Sequence, residues 1–544
     1  MYVRDIIGQT LHQLGVRTAF GVIGSGNFHY TNAFVAAGGR FVAARHEGGA
    51  ASMADAYARM SNEVAVLSLH QGCGYTNALT GITEAAKSRT PLLVVTAEAT
   101  EPTSNFFVDQ ARIAESVGAA AMRVRSAETA AEDVVRAYET CAAERRTVVL
   151  NVPIDVQDMA FSGKAATVRR VPAGFPRPAN VEAFADRLRS ARRPVFVAGR
   201  GARTPGAPHA IAELARHTGA LLATSAVSRG MFRDDPWNID VAGGFSTPLA
   251  AELISGADLI VGFGCALNMW TMRHGKLIAD DATVVQVDVD RSAIGRTRDV
   301  NLGVWGGTAE TARDTLAALR RDGVPVRPGY RAQHLADRIK REGSWTDVPF
   351  ADQSGSGRVD PRAMTAELNR LLPPARVVSV DSGNFLGYPS MYLDVPDEYG
   401  FCFTQAFQSV GLGLATAVGA ALARPERIPV AACGDGGFLM GVSELETAVR
   451  LRIPLLVVVY NDAMYGAEVH HFGEAEDLSG VTFPDVDIAA VARGYGCRAL
   501  TVRRVEDLLP VKEWLDDEAA VPLVIDAKVT SQEASWWLAE AFGH

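Results

Sequence analysis

The chain has 544 residues, of which 48 % are hydrophobic and 21 % charged, with a formal net charge of −9. This length exceeds a single hydrophobic core, so about two to four domains are expected, and the composition excludes a disordered chain. The mild negative charge and scattered arginines exclude a nucleic-acid-binding surface as the main business of the protein.

Six cysteines (Cys73, Cys141, Cys265, Cys402, Cys433 and Cys497) are far apart and form no C-x-x-C pair. They offer neither a zinc site nor a disulfide framework and fit a reducing compartment. Met1 to Val16 carries apolar residues at helical spacing, interrupted by Arg4, Asp5, Gln9, His12 and Gln13. That pattern is an amphipathic helix rather than a signal peptide. No apolar run approaches the roughly 18 residues of a membrane span, so a cytoplasmic protein without membrane contact is expected.

Strands and helices alternate from the start, the pattern of parallel α/β sheets. In the first region, strands are expected at Ala19–Val22, Phe41–Ala44, Val64–Leu69, Pro91–Thr96 and Thr147–Val152. The stretch Ser162–Ala179 has three prolines and no periodicity, and reads as a linker. A second α/β series has strands starting at Pro194 and at Leu221–Thr224, Leu259–Phe263 and Val284–Val289. Arg321–Asp360 collects Pro, Gly, Ser and charges and reads as a second connection. The third series has strands at Val377–Val380, Ile428–Cys433, Pro454–Tyr460 and Leu523–Ala527. Three α/β domains are therefore expected, over residues 1–165, 180–325 and 358–544.

An internal repeat supports this division. A shift of 363 positions places Ala85 on Ala448, Arg89 on Arg452, Gly74 on Gly437 and Pro91–Val95 on Pro454–Val458. The outer domains thus read as related units that can face each other across a site.

The third region holds the densest chemistry. The run Ile428–Cys433 stops at Gly434-Asp435-Gly436-Gly437, and the next strand stops at Asn461-Asp462. Ligands of such strand–helix–strand units sit at the carboxyl ends of the strands. Two carboxylates there, beside a glycine turn with free N–H groups, suit a divalent cation clamped to a diphosphate. A plainer reading of Asp435 is a helix N-cap, and the two roles are compatible.

With Glu47 in R-H-E-G-G-A-A, the Gly72-x-Gly74 turn, and G-D-G followed after 24 residues by N-D, the chain resembles the thiamine-diphosphate-dependent enzymes of the acetolactate synthase, benzoylformate decarboxylase and pyruvate decarboxylase superfamily. The resemblance implies a thiamine-diphosphate-binding fold of three parallel-sheet α/β domains: pyrimidine-binding, Rossmann-like middle and diphosphate-binding. It also implies Mg²⁺ held by Asp435, Asp462 and the Met464 carbonyl. The family usually has Asn where Asp462 stands, and a carboxylate is an equally hard oxygen donor. Gly434, Gly436, Gly437 and Phe438 would serve the diphosphate, and Gly383, Gln408, Val410 and Tyr465 the rest of the cofactor. Val410 takes the place of the bulky wedge between its rings. Glu47 matches the glutamate that shares a proton with N1′ of the aminopyrimidine, usually supplied by a partner subunit. A homodimer or homotetramer with active sites at the subunit interface follows.

The family adds a C2 carbanion to a carbonyl, most often of a 2-oxo acid, and loses CO₂ to leave an enamine. The expected activity is a 2-oxo acid decarboxylase and carboligase, acetolactate synthase-like, with a second carbonyl as acceptor. The alternatives are a decarboxylase that releases an aldehyde and a non-catalytic binding subunit. His70 aligns with a proton-relaying histidine of benzoylformate decarboxylase, and Glu468 with a catalytic glutamate of pyruvate decarboxylase. Plainer readings are a hydrogen bond within the turn for His70 and a solvated helix face for Glu468. Ser25, Asn27 and Gln110 are expected to line the substrate pocket with them. His470 and His471 read as surface or interface residues rather than catalysts. The turn Gly199–Ala202 is related to one in flavin-bearing relatives, but Leu267 and Asn268 replace a basic residue, so a cofactor-free middle domain is favoured over FAD.

Overall fold

The uninterrupted apolar runs become interior strands of parallel sheets in the computed structural model, which describes residues 1–164, 175–473, 475–517 and 521–542. Of the expected linker, residues 165–174 lie outside the described residues. The first sheet contains β1 (Thr18–Gly21), β2 (Arg40–Ala43), β3 (Ala65–Leu69), β4 (Leu92–Glu98), β5 (Ala120–Arg123) and β6 (Val148–Pro153). The second contains β7 (Pro194–Ala198), β8 (Leu221–Thr224), β9 (Asn238–Val241), β10 (Leu259–Phe263), β11 (Thr283–Asp288) and β12 (Leu302–Trp305). The third contains β13 (Arg376–Val380), β14 (Phe401–Phe403), β15 (Ile428–Gly434), β16 (Leu456–Asn461), β17 (Arg498–Val502) and β18 (Leu523–Lys528).

The first and third sheets share one order, β2-β1-β3-β4-β6-β5 and β14-β13-β15-β16-β18-β17. All of their strand pairs are parallel. The repeat seen in the sequence therefore aligns β3 with β15 and β4 with β16. Its matched residues mark a shared helix ending. Arg89 and Arg452 both lie in the left-handed region (φ 57° and 52°). Thr90 N–H donates to Ala85 O at 2.9 Å and Ile453 N–H to Ala448 O at 3.0 Å, the closing bond of a Schellman turn.

The second sheet runs β12-β11-β10-β7-β8-β9, the doubly wound order whose crevice falls between β7 and β10. There the turn Gly199–Ala202 packs directly on its neighbour, with Gly201 N–H donating to Gly264 O at 3.0 Å. A Cβ on Gly264 would lie 2.5 Å from the Gly201 backbone.

Five strands were not anticipated: β5, β9, β12, β14 and β17. All five are sheet edges. Edge strands lack cover on one side, so their residues mix buried and exposed positions, as in Arg498–Val502, and leave no continuous apolar run. No helix among the described residues is long and apolar enough to cross a membrane.

The outer domains meet through two alanine-rich helices, Glu47–Ser61 and Gly413–Ala423. Small residues let the backbones approach so closely that a Cβ on Gly419 would stand 2.1 Å from Met53 O. Gly419→Ala is therefore expected to cost about 2 kcal/mol by overpacking. For a domain of this size, the melting temperature should fall by about 4–8 °C in differential scanning calorimetry.

Candidate functional site

The carboxyl ends of three neighbouring strands, β13, β15 and β16, each deliver an aspartate. Asp435 follows β15 as the first residue of the helix Asp435–Gly441, and Asp462 follows β16, whose Tyr460 pairs with Gly434. Burial pushes the Asp435 carboxyl up to about 6. Burial and then the charge of Asp435 push Asp462 up to about 7. Met464 N–H donates to Asp462 Oδ1 at 3.3 Å. Ala463 between them takes a left-handed conformation, φ 62°, a backbone cost of the kind found at ligand-holding turns.

Asp381, at the end of β13, was not singled out in the sequence. It is buried and accepts N–H groups from Ser382 (2.8 Å), Gly411 (3.0 Å) and Leu412 (3.2 Å), while burial pushes its carboxyl up to about 6. The signal was available: an apolar strand run followed at once by Asp-Ser-Gly, the same logic that exposed Asp435. Its bonds fix the segment holding Gln408, which is left-handed at φ 61°, and Val410, which is 40 % exposed. A Cβ on Gly437 would come within 2.4 Å of Asp381 Oδ2 and 3.1 Å of Val410 Cγ1, and one on Gly436 within 2.5 Å of the Tyr465 ring. The glycine turn is thus a close-packed cradle that only glycine fits. Gly383 lies beside it at φ 143°. Its neighbour Asn384 is pinned from the C-terminal segment, accepting at its carbonyl from Ser535 Oγ and Trp537 Nε1, both at 2.7 Å. The Phe438 side chain is buried in the core, so only its backbone faces the cradle side of the turn.

The first domain supplies a second cluster. Glu47 opens its helix half-buried and accepts from Asn77 Nδ2 at 3.1 Å. His70 Nδ1 accepts the Gly26 N–H at 3.2 Å, which leaves the ring proton on Nε2. Its ring meets Phe106 edge-on, 5.1 Å between centroids. Burial lowers its pKa against the opposing charge of Glu47, so the imidazole is neutral at pH 7.

The pocket expectations fare unevenly. Ser25 is exposed on the loop beside His70. Asn27 and Gln110 lie beneath the rim, each fully buried and committed to internal bonds. Asn27 Nδ2 donates to Val22 O and Ser68 Oγ, and its Oδ1 accepts from Gly24 N–H. Gln110 Nε2 donates to Ala97 O and Asn151 Oδ1, and its Oε1 accepts from Gly72 N–H. Both hold the loops through these bonds. Glu468 is exposed on the helix Gly466–Phe472. His471 is exposed as expected, whereas His470 is half-buried with Nε2 shielded from solvent. Among the described residues, no hydrogen bond or ion pair joins Glu47 or His70 to Asp435, Asp462 or Glu468.

Family models match each of the three sheet domains. The thiamine pyrophosphate enzyme N-terminal TPP-binding domain matches residues 1–116, the central domain residues 181–319, and the C-terminal TPP-binding domain residues 381–527. The chain belongs to the thiamine pyrophosphate enzyme superfamily. Similar proteins include a sulfoacetaldehyde acetyltransferase of Alcaligenes xylosoxydans xylosoxydans, 27 % identical over 91 % of this chain and 87 % of its own length. A "probable 2-ketoarginine decarboxylase" of Pseudomonas aeruginosa is 29 % identical over 92 % and 89 %. A "probable acetolactate synthase large subunit" of Methanocaldococcus jannaschii is 23 % identical over 97 % and 92 %. The match to the superfamily's C-terminal domain begins at Asp381 itself.

The adjacent acids carry a stability prediction. A carboxyl whose folded pKa is raised destabilises the fold where it is ionised: fully above about pH 7 for Asp462, and not at all below its unfolded value near 4. With divalent cations chelated, Asp462→Asn should raise the melting temperature at pH 8. The gain should shrink steadily toward pH 4, followed by scanning calorimetry across that range.

Proposed function

We propose that this thiamine pyrophosphate enzyme uses thiamine diphosphate and Mg²⁺ to decarboxylate a 2-oxo acid and join the retained acyl carbon to a second carbonyl. The observation that carries the cofactor reading is the pairing of Asp435 and Asp462 at neighbouring strand ends beside the glycine cradle. Two half-buried acids, the charge of Asp435 raising the proton affinity of Asp462, are a standing cost that a bound divalent cation relieves. Asp435, the Asp462 side chain and the Met464 carbonyl would hold the ion. The backbone N–H groups of Gly436, Gly437 and Phe438 would hold the diphosphate, and Gly383, Gln408 and Tyr465 would flank it. Val410, exposed above Gly437, would set the bend between the cofactor rings.

When bound, the cofactor supplies an electron sink for the carbon that loses CO₂. Glu47 would share a proton with the pyrimidine N1′, and so select the tautomer that takes up a proton on the thiazolium side. His70, neutral with Nε2–H free, would donate to the oxygen of the bound 2-oxo acid. Ser25 and Glu468 would line the same pocket. A two-chain site follows from the family resemblance, in which the glutamate matched by Glu47 comes from the partner subunit. Apolar residues exposed beside each cluster support it too: Phe106 and Phe107 on one side, Phe407, Leu439 and Met440 on the other.

Carboligation is supported by the names of the acetyltransferase and synthase relatives. Release of an aldehyde is the second reading, favoured by the fixed proton donor on His70 and by the decarboxylase relative. A panel of pyruvate, branched and aromatic 2-oxo acids, with CO₂ release measured and products identified by mass spectrometry, separates the two. No CO₂ from any substrate would refute both. Glu47→Gln should leave cofactor affinity roughly unchanged and lower turnover by about 100-fold or more; full activity would remove Glu47 from its role.

A further inference from the structure

Two buried carboxylates outside the site each reach from one outer domain into the other. Glu444, 1 % exposed, begins the helix Glu444–Arg450 of the third domain. Its Oε1 accepts the N–H groups of Arg45 and His46, both at 3.1 Å, and its Oε2 accepts the Thr447 hydroxyl at 2.7 Å. Glu84, also 1 % exposed, lies on the helix Leu79–Lys87 of the first domain. Its Oε1 accepts Ala406 N–H at 3.0 Å and Arg59 Nη2 at 2.8 Å, and its Oε2 accepts Phe407 N–H at 2.6 Å. Arg59 extends the same hold by donating to Phe403 O at 2.8 Å.

The receiving segments follow β2 and β14, which occupy the same place in the two related sheets. The first leads directly to Glu47, the second to Gln408 and Val410. The carboxylates themselves are not equivalent in the repeat, because the 363-residue shift puts Glu84 on Thr447 and Gly81 on Glu444. Two different positions have thus arrived at the same hold on the two segments. A carboxylate accepting two successive N–H groups fixes both peptide planes with charge-assisted bonds. At Glu84, where each oxygen takes one of the N–H groups, a glutamine turns an N–H against an N–H; at Glu444 it removes the charge and turns an N–H against the Arg45 N–H, which also reaches Oε2 at 3.3 Å. The fit is close as well: a Cβ on Gly49 would stand 2.3 Å from Glu444 Oε1.

We propose that Glu444 and Glu84 are positioning residues for the thiamine site, Glu444 setting the Glu47 carboxyl and Glu84 setting the Gln408 carbonyl and the Val410 side chain. The inference rests on the cofactor reading above. Its test is hydrogen–deuterium exchange with mass spectrometry on the full chain, combined with titration of thiamine diphosphate in Mg²⁺ and steady-state kinetics. In Glu444→Gln, amides of residues 45–50 should exchange about tenfold faster or more, with residues 404–411 unchanged. Glu84→Gln should show the reverse. In both, kcat should fall by a larger factor than cofactor affinity. Should either glutamine variant fail to fold, Glu444→Asp and Glu84→Asp, which keep the charge but shorten the reach, carry the same comparison. Faster exchange spread over the whole chain, or none in the named segment, overturns the positioning role. A parent chain that binds no thiamine diphosphate overturns the cofactor reading and the role with it. Normal binding with unselective exchange overturns the role alone.

Discussion

Parallel strands all end at one edge of their sheet, and the site depends on that constraint. Neighbouring strands lie about 4.8 Å apart, so residues that follow β13, β15 and β16 are forced into each other's field. Asp381, Asp435 and Asp462 arrive there together, and burial raises the proton affinity of all three. They then divide the work. Asp381 is consumed by backbone N–H groups of the Gly411 segment, whereas the other two have far fewer protein donors and keep their repulsion. Negative charge held against its own cost, beside a turn of N–H groups, is an arrangement suited to a cation and an anion bound together.

The second constraint is the close approach of the two outer domains. Gly419 against Met53 O sets the distance between the two alanine-rich helices. At that distance, Glu84 and Glu444 reach across and seize the segments that follow the opposite edge strands. The same contact that joins the domains thus orients Glu47 in one direction and Val410 in another. Under the proposed cofactor reading, these side chains would serve opposite ends of the cofactor.

Much of this was legible in the sequence, for physical reasons that also explain the rest. Interior strands are buried on both faces and appear as apolar runs, so β3, β4, β15 and β16 and the residues at their ends could be found. Edge strands such as β14 and β17 have one open side and leave no run, and with β14 the reason for the Ala406–Phe407 contact was hidden. Gly437 and Asp435 were visible because a strand stopping at G-D-G-G is unusual chemistry. Asp381 carried the same signal in a weaker form. Asn27 and Gln110 were read as pocket residues because their loops sit at the right strand ends, but loop position does not say which way an amide points. Glu84 and Glu444 could not have been assigned at all. A glutamate on a helix is ordinary until the folded chain shows whose N–H groups it accepts.

Isothermal titration calorimetry with thiamine diphosphate, in Mg²⁺ and again with the cation chelated, tests the central claim most directly. The account predicts saturable binding near one cofactor per chain that requires the cation and is abolished by Asp435→Ala. Binding that is indifferent to Mg²⁺ and to Asp435, or no binding at all, would contradict it.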